Sequence, residues 1–198
     1  LLRGAYHASA EVASGRWPRA ALSEGREAGG KAMGIVGFGS IGRATAAKAS
    51  ALGMRILGHD PQVPAGDPAW REARAQPLDL DALLAQSDVV SLHVPLVPAT
   101  RGLLGAASIG RMKPGAILVN TARGGIVDEA AVAAALREGR LGGAALDVFE
   151  AEPLAAGSPL AGAPRLILTP HIAGVTRESN ERVSSLIASR VAEALDAA

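Results

Sequence analysis

Gly34-Ile35-Val36-Gly37-Phe38-Gly39-Ser40-Ile41-Gly42 is the stretch that decides the fold. An apolar run ends in three glycines spaced G-x-G-x-x-G. A helix-forming stretch follows from Arg43 to Leu52, and a second apolar run, Met54 to Gly58, leads to Asp60. Strand, glycine turn, helix, strand and terminal acid, in that order, form the dinucleotide fingerprint. Each part has a mechanical reason. Gly37 allows the tight turn out of the strand, Gly39 lets the backbone approach a pyrophosphate with no Cβ in the way, and Gly42 lets the helix pack closely on the strand. The helix N-terminus offers unpaired N–H groups and a partial positive charge to the phosphates. Asp60 stands 18 residues beyond Gly42, near the ~20 expected of a carboxylate that grips ribose hydroxyls. A glycine-rich turn that binds nothing is the alternative; strand, helix and acid together weigh against it.

Outward from this unit, short apolar runs alternate with helical stretches. Toward the N-terminus, Leu1 to Ser14 reads as a helix stopped by Gly15. Trp17-Pro18 and the glycines at 25, 29 and 30 read as a loop. After Asp60, Pro61 to Pro77 is rich in Pro, Ala and charge, with Trp70 its one large apolar group; a weak third strand falls near Ala73 to Leu78. Helices are expected over Asp79 to Gln86, Leu103 to Met112, Asp128 to Arg140 (Asp128 as N-cap) and Thr176 to Ala197. Strands are expected over Asp88 to His93, Ala116 to Thr121, Gly143 to Phe149 and Leu166 to Thr169. These strands are continuously apolar, as suits a parallel sheet buried on both faces. Alternation with helices makes the class α/β, a doubly wound and mostly parallel sheet.

The totals narrow the function. A chain of 198 residues is long enough for one domain with a real core. Aromatics make up only 3%, so that core must come from Ala, Val, Leu and Ile. Twenty basic against 19 acidic residues give no electrostatic reason to expect nucleic acid or an anionic membrane. The absence of cysteine excludes disulfides, thiolate metal sites and cysteine nucleophiles, and no metal is expected. No apolar run reaches the ~18 residues of a membrane span. The first residues lack both an initiator Met and a signal-peptide pattern. A soluble, cytoplasmic protein, or a piece of one, is the expectation.

In open parallel sheets, ligands bind beyond the carboxyl ends of the strands, and polar candidates collect at those ends: Asp60, His93, Arg123, Asp147 with Glu150 and Glu152, and His171. Each also has a plainer reading. His93 could simply bond the backbone at a strand end. Arg123 could be a solvated loop charge, although Gly124-Gly125 suggests a backbone that needs unusual room. Asp147 could be a buried, satisfied acid or the partner of a cofactor amide, and Glu150 reads as surface. A His beside a carboxylate can act as a general acid/base pair, and an Arg can clamp a substrate carboxylate with two prongs. Together these describe hydride transfer between a nicotinamide ring and an acid carrying a neighbouring alcohol or ketone. A short-chain dehydrogenase is disfavoured because Tyr6 is the only tyrosine. Methyl transfer would leave Arg123, Glu152 and His171 without work.

Five stretches extend the pattern: Gly37 to Gly42 with Asp60; His93-Val94-Pro95-Leu96; Asn120-Thr121-Ala122-Arg123-Gly124-Gly125; Leu146-Asp147-Val148-Phe149-Glu150-Ala151-Glu152-Pro153; and Thr169-Pro170-His171-Ile172-Ala173-Gly174. In order and spacing they resemble the D-isomer-specific 2-hydroxyacid dehydrogenases, the phosphoglycerate dehydrogenase-like family, over nearly the whole chain. The resemblance implies a Rossmann-type NAD-binding domain. It implies that His171 exchanges the hydroxyl proton, that Glu152 rather than Glu150 pairs with it, and that Arg123 binds the substrate carboxylate and carbonyl. It places Ser40 and Ile41 on the pyrophosphate, His93, Val94, Pro95, Thr121 and Ala122 along the cofactor cleft, and Asp147, Ala173 and Gly174 near the nicotinamide. Asp60, with no basic residue following in Pro61 to Gly66, implies NAD over NADP, and Glu152 argues against the formate dehydrogenase branch. A small 2-hydroxy or 2-oxo acid is the implied substrate, and a homodimer or larger homo-oligomer the implied assembly.

The family's subunit has two domains. Its substrate domain comes mostly from about a hundred residues that would precede Leu1. The resemblance therefore divides this chain into an inter-domain helix and linker (1–30), the NAD-binding domain (31–172) and a C-terminal helix returning toward a substrate domain (173–198). With most of that domain absent, the isolated chain is expected to bind cofactor with little or no turnover. A different class also fits the residues: a non-enzymatic NAD(H)-sensing protein, like the corepressors that resemble this family.

Overall fold

The structure, a computed structural model, describes residues 1–196. Seven strands, β1 (Ala32–Val36), β2 (Arg55–His59), β3 (Ala75–Pro77), β4 (Val89–Leu92), β5 (Ala116–Asn120), β6 (Leu141–Leu146) and β7 (Leu166–Leu168), form one parallel sheet. Their order is β3-β2-β1-β4-β5-β6-β7. The chain runs outward from β1 to β3, then crosses back to lay β4 on the other side of β1. This reversal opens a crevice at the carboxyl ends of β1 and β4.

Alternate residues of the central strands feed two cores. On one face Val36, Leu57, Val90, Leu92 and Leu118 meet α5 (Leu80–Gln86), α6 (Ala106–Arg111) and α7 (Glu129–Arg137) through Leu83, Leu84, Ile109, Val132 and Leu136. On the other, Ile35, Ile56 and Ile117 meet Ala46 and Ala49 of α3 (Ser40–Ala51). Small alanines suit this face because Gly42 brings α3 close: a Cβ there would collide with the Gly37 carbonyl oxygen. With few aromatics to fill space, Trp70 stacks on Phe38 at 4.1 Å between ring centroids. At the opposite, amino-terminal edge, the Asp88 carboxylate accepts from Ala32 N–H and from Lys113 Nζ, tying together the starts of β1, β4 and β5.

The sheet, α3, α5, α6 and α7 follow the sequence expectation within a few residues, and Asp128 caps α7 by accepting from Ala131 N–H. Four expectations need correction. The single helix over 1–14 is instead a 3-10 turn at Ala5–His7 and a short α1 (Ser9–Ala13), because Gly4 takes a left-handed conformation (φ 65°) and α1 buries no residue. The stretch read as loop contains α2 (Arg19–Ser23). The Pro61–Pro77 segment contains α4 (Pro68–Glu72), started by the Asp67 side chain accepting from Ala69 N–H with Pro68 in the first turn; cap and proline together were its signal. β6 runs 141–146, not 143–149: it begins earlier, with Leu141 buried, and ends at Leu146, past which the Asp147 carbonyl accepts from the His171 N–H. The C-terminal helix α8 (Arg177–Asp196) forms as expected, although Ala197 lies outside the described residues. Its apolar stripe of Val183, Leu186, Ile187, Val191 and Leu195 is entirely exposed.

Candidate active site

Register puts the strand ends level. Val36 lies beside His59 and Leu92, Leu92 beside Asn120, Asn120 beside Leu146, and Leu146 beside Leu168. The residues that follow therefore emerge along one edge in the order Asp60, Gly37, His93, Thr121 to Arg123, Asp147, His171. Only Gly37 and Asp60 depart from sequence order, because β2 lies on the side of β1 away from β4.

The glycine turn fits a dinucleotide. Gly37 has φ +93°, and a Cβ there would meet the His93 carbonyl oxygen at 2.5 Å. A Cβ at Gly39 would meet nothing within 4 Å, so the space in front of the turn is open. No side chain caps the N-terminus of α3 and its first turn holds no acid, which leaves its N–H groups for an anion. Ser40 and Ile41 are exposed there. Asp60 is half-buried; its Oδ2 accepts from Phe38 N–H at 2.7 Å and its Oδ1 from Gln62 N–H at 2.9 Å. The acid thus also braces the glycine turn.

His93, half-buried at the end of β4, has its Nε2 3.0 Å from Ser91 Oγ, and burial lowers its pKa. Val94 is half-buried and Pro95 exposed. Past β5, buried Asn120 shapes the next loop: its Oδ1 accepts from Ala122 N–H and its Nδ2 donates to the Arg123 carbonyl. Thr121 and Arg123 are exposed, and Arg123 Nη1 donates to the Ala122 carbonyl at 2.6 Å. A Cβ on Gly124 would collide with the Phe149 carbonyl oxygen. That contact sets the Arg123 loop directly against the loop carrying Glu152, and it is the close approach expected of the glycine pair.

Glu152 and His171 meet. Oε2 lies 2.8 Å from Nδ1, and Oε1 accepts from Phe149 N–H at 2.9 Å. The hydrogen bond from His171, and then that from Phe149, hold the Glu152 carboxyl below the usual carboxylate range. Half of the His171 side chain is exposed (49%), and its Nε2 has no partner among the described residues. A cavity of about 650 Å³ opens beside the pair, lined by Phe149, Leu154, Leu168 and Pro170 as well. Glu150 is exposed, with its N–H taken by Glu129. Asp147 is 3% exposed: Thr169 Oγ1, Ile172 N–H and Ala173 N–H all donate to its carboxylate. Burial pushes its pKa up; those donors and the nearby His171 outweigh it, and the net shift is downward. Ala173 and Gly174 are exposed in the turn that follows. Sequence reasoning gave no task to Asn120 or Thr169. The available signal was a polar residue closing an apolar run.

The family described as D-isomer specific 2-hydroxyacid dehydrogenase, NAD binding domain, matches residues 1–173. The chain is 55% identical over 196 residues to an (S)-sulfolactate dehydrogenase of Chromohalobacter salexigens, covering 98% of this chain and 62% of that enzyme. It is 41% identical over 181 residues to a D-3-phosphoglycerate dehydrogenase of Archaeoglobus fulgidus, covering 91% and 34%. Among solved structures it resembles D-lactate dehydrogenase from Aquifex aeolicus in complex with NAD and lactic acid, with a TM-score of 0.87 at 31% identity, covering all of this chain and 63% of that one. The chain thus spans less than two thirds of the length of each of these relatives.

Proposed function

The chain belongs to the D-isomer specific 2-hydroxyacid dehydrogenases through their NAD-binding domain, and on that premise we propose that the protein moves a hydride between NAD(H) and a small D-2-hydroxy acid or its 2-oxo counterpart. The observation that carries this reading is the Glu152–His171 contact at 2.8 Å, on the same sheet edge as the open glycine turn.

The cofactor of this domain is NAD. Gly37 to Gly42 and the α3 N-terminus hold its pyrophosphate, and Asp60 holds a ribose and disfavours a 2′-phosphate. His93, Val94, Pro95, Thr121, Ala122, Asp147, Ala173 and Gly174 line its path. When bound, NAD supplies the hydride acceptor or donor. The chain's own residues handle charge and protons. Arg123 clamps the substrate carboxylate and orients its neighbouring oxygen. Glu152 at Nδ1 fixes the His171 tautomer, so that Nε2 accepts the hydroxyl proton during oxidation and returns it during reduction. The carboxylate also offsets the charge that then forms on the ring.

Identity of 55% over nearly the whole chain makes sulfolactate the first candidate substrate; glycerate, phosphoglycerate, glyoxylate and D-lactate follow. Residues 31–172 act as the cofactor domain, 1–30 lead into it, and 173–198 continue toward a substrate domain. The absence of any buried residue in α8 supports that last assignment. Trp17, 75% exposed and outside α8, supports a homodimer or larger homo-oligomer. The test is NADH oxidation by the full-length protein against a panel of 2-oxo acids, with sulfopyruvate included. Turnover of one of them is expected. Tight NADH binding with no turnover of any would favour an NADH sensor instead.

A further inference from the structure

His171 sits in a left-handed backbone conformation, φ +54°. Non-glycine residues adopt this rarely, and it persists where the surroundings over-determine it. Here the surroundings are one buried carboxylate. Asp147 Oδ1 accepts from Thr169 Oγ1 at 2.6 Å and from Ile172 N–H at 2.9 Å, and Oδ2 accepts from Ala173 N–H at 2.8 Å. The Asp147 carbonyl also accepts from the His171 N–H at 2.8 Å. Residues before and after the histidine are therefore fastened to the same aspartate. Glu152 fixes the rotation of the ring; the aspartate fixes the backbone from which the ring projects.

Of the donors to that carboxylate among the described residues, the Thr169 hydroxyl is the only side chain, and it makes the shortest bond. The other two are amides of the turn being held, so Thr169 is the anchor on the sheet side, one residue beyond β7. We propose that Thr169 is a positioning residue for the acid/base histidine: its hydroxyl orients the Asp147 carboxylate, which locks the left-handed turn and so places His171 Nε2 for proton transfer. The proposal rests on the reading of His171 as acid/base given above. A buried carboxylate that loses a donor must reorient or admit water, and either loosens the turn. Small displacements of a catalytic group cost turnover steeply.

The test compares Thr169→Val, close in shape but without a donor, with Thr169→Ser in the full-length protein. Thr169→Ala is a second donor-free variant should the valine fail to fold. Turnover in the donor-free variants should fall by about 10- to 100-fold, while the melting temperature changes little and Thr169→Ser restores most of the lost rate. Hydrogen exchange at the Ile172 and Ala173 amides should accelerate in Thr169→Val and not in Thr169→Ser. Wild-type turnover in Thr169→Val overturns the proposal, whether or not exchange accelerates. A loss that serine does not restore also overturns it, because the hydroxyl would not be the operative group. A His171→Asn control separates the two readings. If that variant keeps its turnover, the acid/base assignment fails, and the exchange rates still decide whether the hydroxyl holds the turn.

Discussion

Replacing Glu152 with Gln changes one atom and should cripple the proposed chemistry. Both Glu152 oxygens act as acceptors, Oε1 from Phe149 N–H at 2.9 Å and Oε2 from His171 Nδ1 at 2.8 Å. Glutamine brings one acceptor and one donor group. If its oxygen faces Nδ1–H, its NH2 meets the Phe149 N–H, and two donors face each other. If its oxygen faces Phe149, its NH2 donates to Nδ1 and the ring proton moves to Nε2, the atom that must accept the substrate proton. The second arrangement avoids that clash and leaves Nε2 protonated. Loss of the carboxylate charge adds to this. Together kcat for oxidation should fall by about 10²- to 10⁴-fold, the range of general acid–base catalysis. Steady-state turnover of the full-length variant checks this, with NADH affinity measured by fluorescence and expected to be unchanged. The His171 and Phe149 hydrogen bonds hold the Glu152 carboxyl below the usual carboxylate range. The carboxyl therefore stays ionised above that lowered value and loses its charge only as pH falls through it. Near-wild-type turnover would refute the reasoning.

Three other outcomes follow from the same structure. Trp70→Ala removes a side chain that is 4% exposed, stacked on Phe38 and bonded through Nε1 to the Pro64 carbonyl; urea unfolding should show a loss of about 3–5 kcal/mol, and a cost near zero would mean the stack is not formed. Asp60→Ala should narrow the preference for NAD over NADP, and it also takes the acceptor from Phe38 N–H; an unchanged ratio of the two dissociation constants would remove Asp60 from the ribose. Burial raises the Asp88 carboxyl, but Lys113 and Ala32 N–H outweigh it and hold the folded value low. Its contribution to stability is thus present above the unfolded value of ~3.9 and lost as pH falls through the lowered one. The urea midpoint of Asp88→Asn should lie below wild type at pH 7 and converge with it toward pH 3; an equal gap at both would contradict that sign.

The parts of the fold that were legible carried a pattern and a neighbour to enforce it. β1, β2, β4 and β5 are continuous apolar runs buried on both faces, and the glycine turn has few alternative geometries. Residues 1–30 were misread because α1 and α2 bury no residue, so no periodicity reports on them. α4 escaped because its five residues are too few for a period, although Asp67-Pro68 marked its start. In the site, Glu152 and His171 lie 19 residues apart and their pairing followed only from the family resemblance; spacing alone cannot place two loops face to face. The role of Asp147 shows the other limit. Its burial could be anticipated from an apolar strand, whereas its three donors come from the end of β7 and the turn after it, 22 to 26 residues away, which the sheet brings alongside.

On the proposed reading, His171 carries the proton while the glycine turn carries the cofactor. The most direct test is His171→Asn in the full-length protein, with turnover of its best 2-oxo acid and NADH affinity measured on the same preparation. Turnover should collapse while NADH binds as it does to wild type. Retained turnover, or turnover lost only in step with NADH binding, would contradict the account.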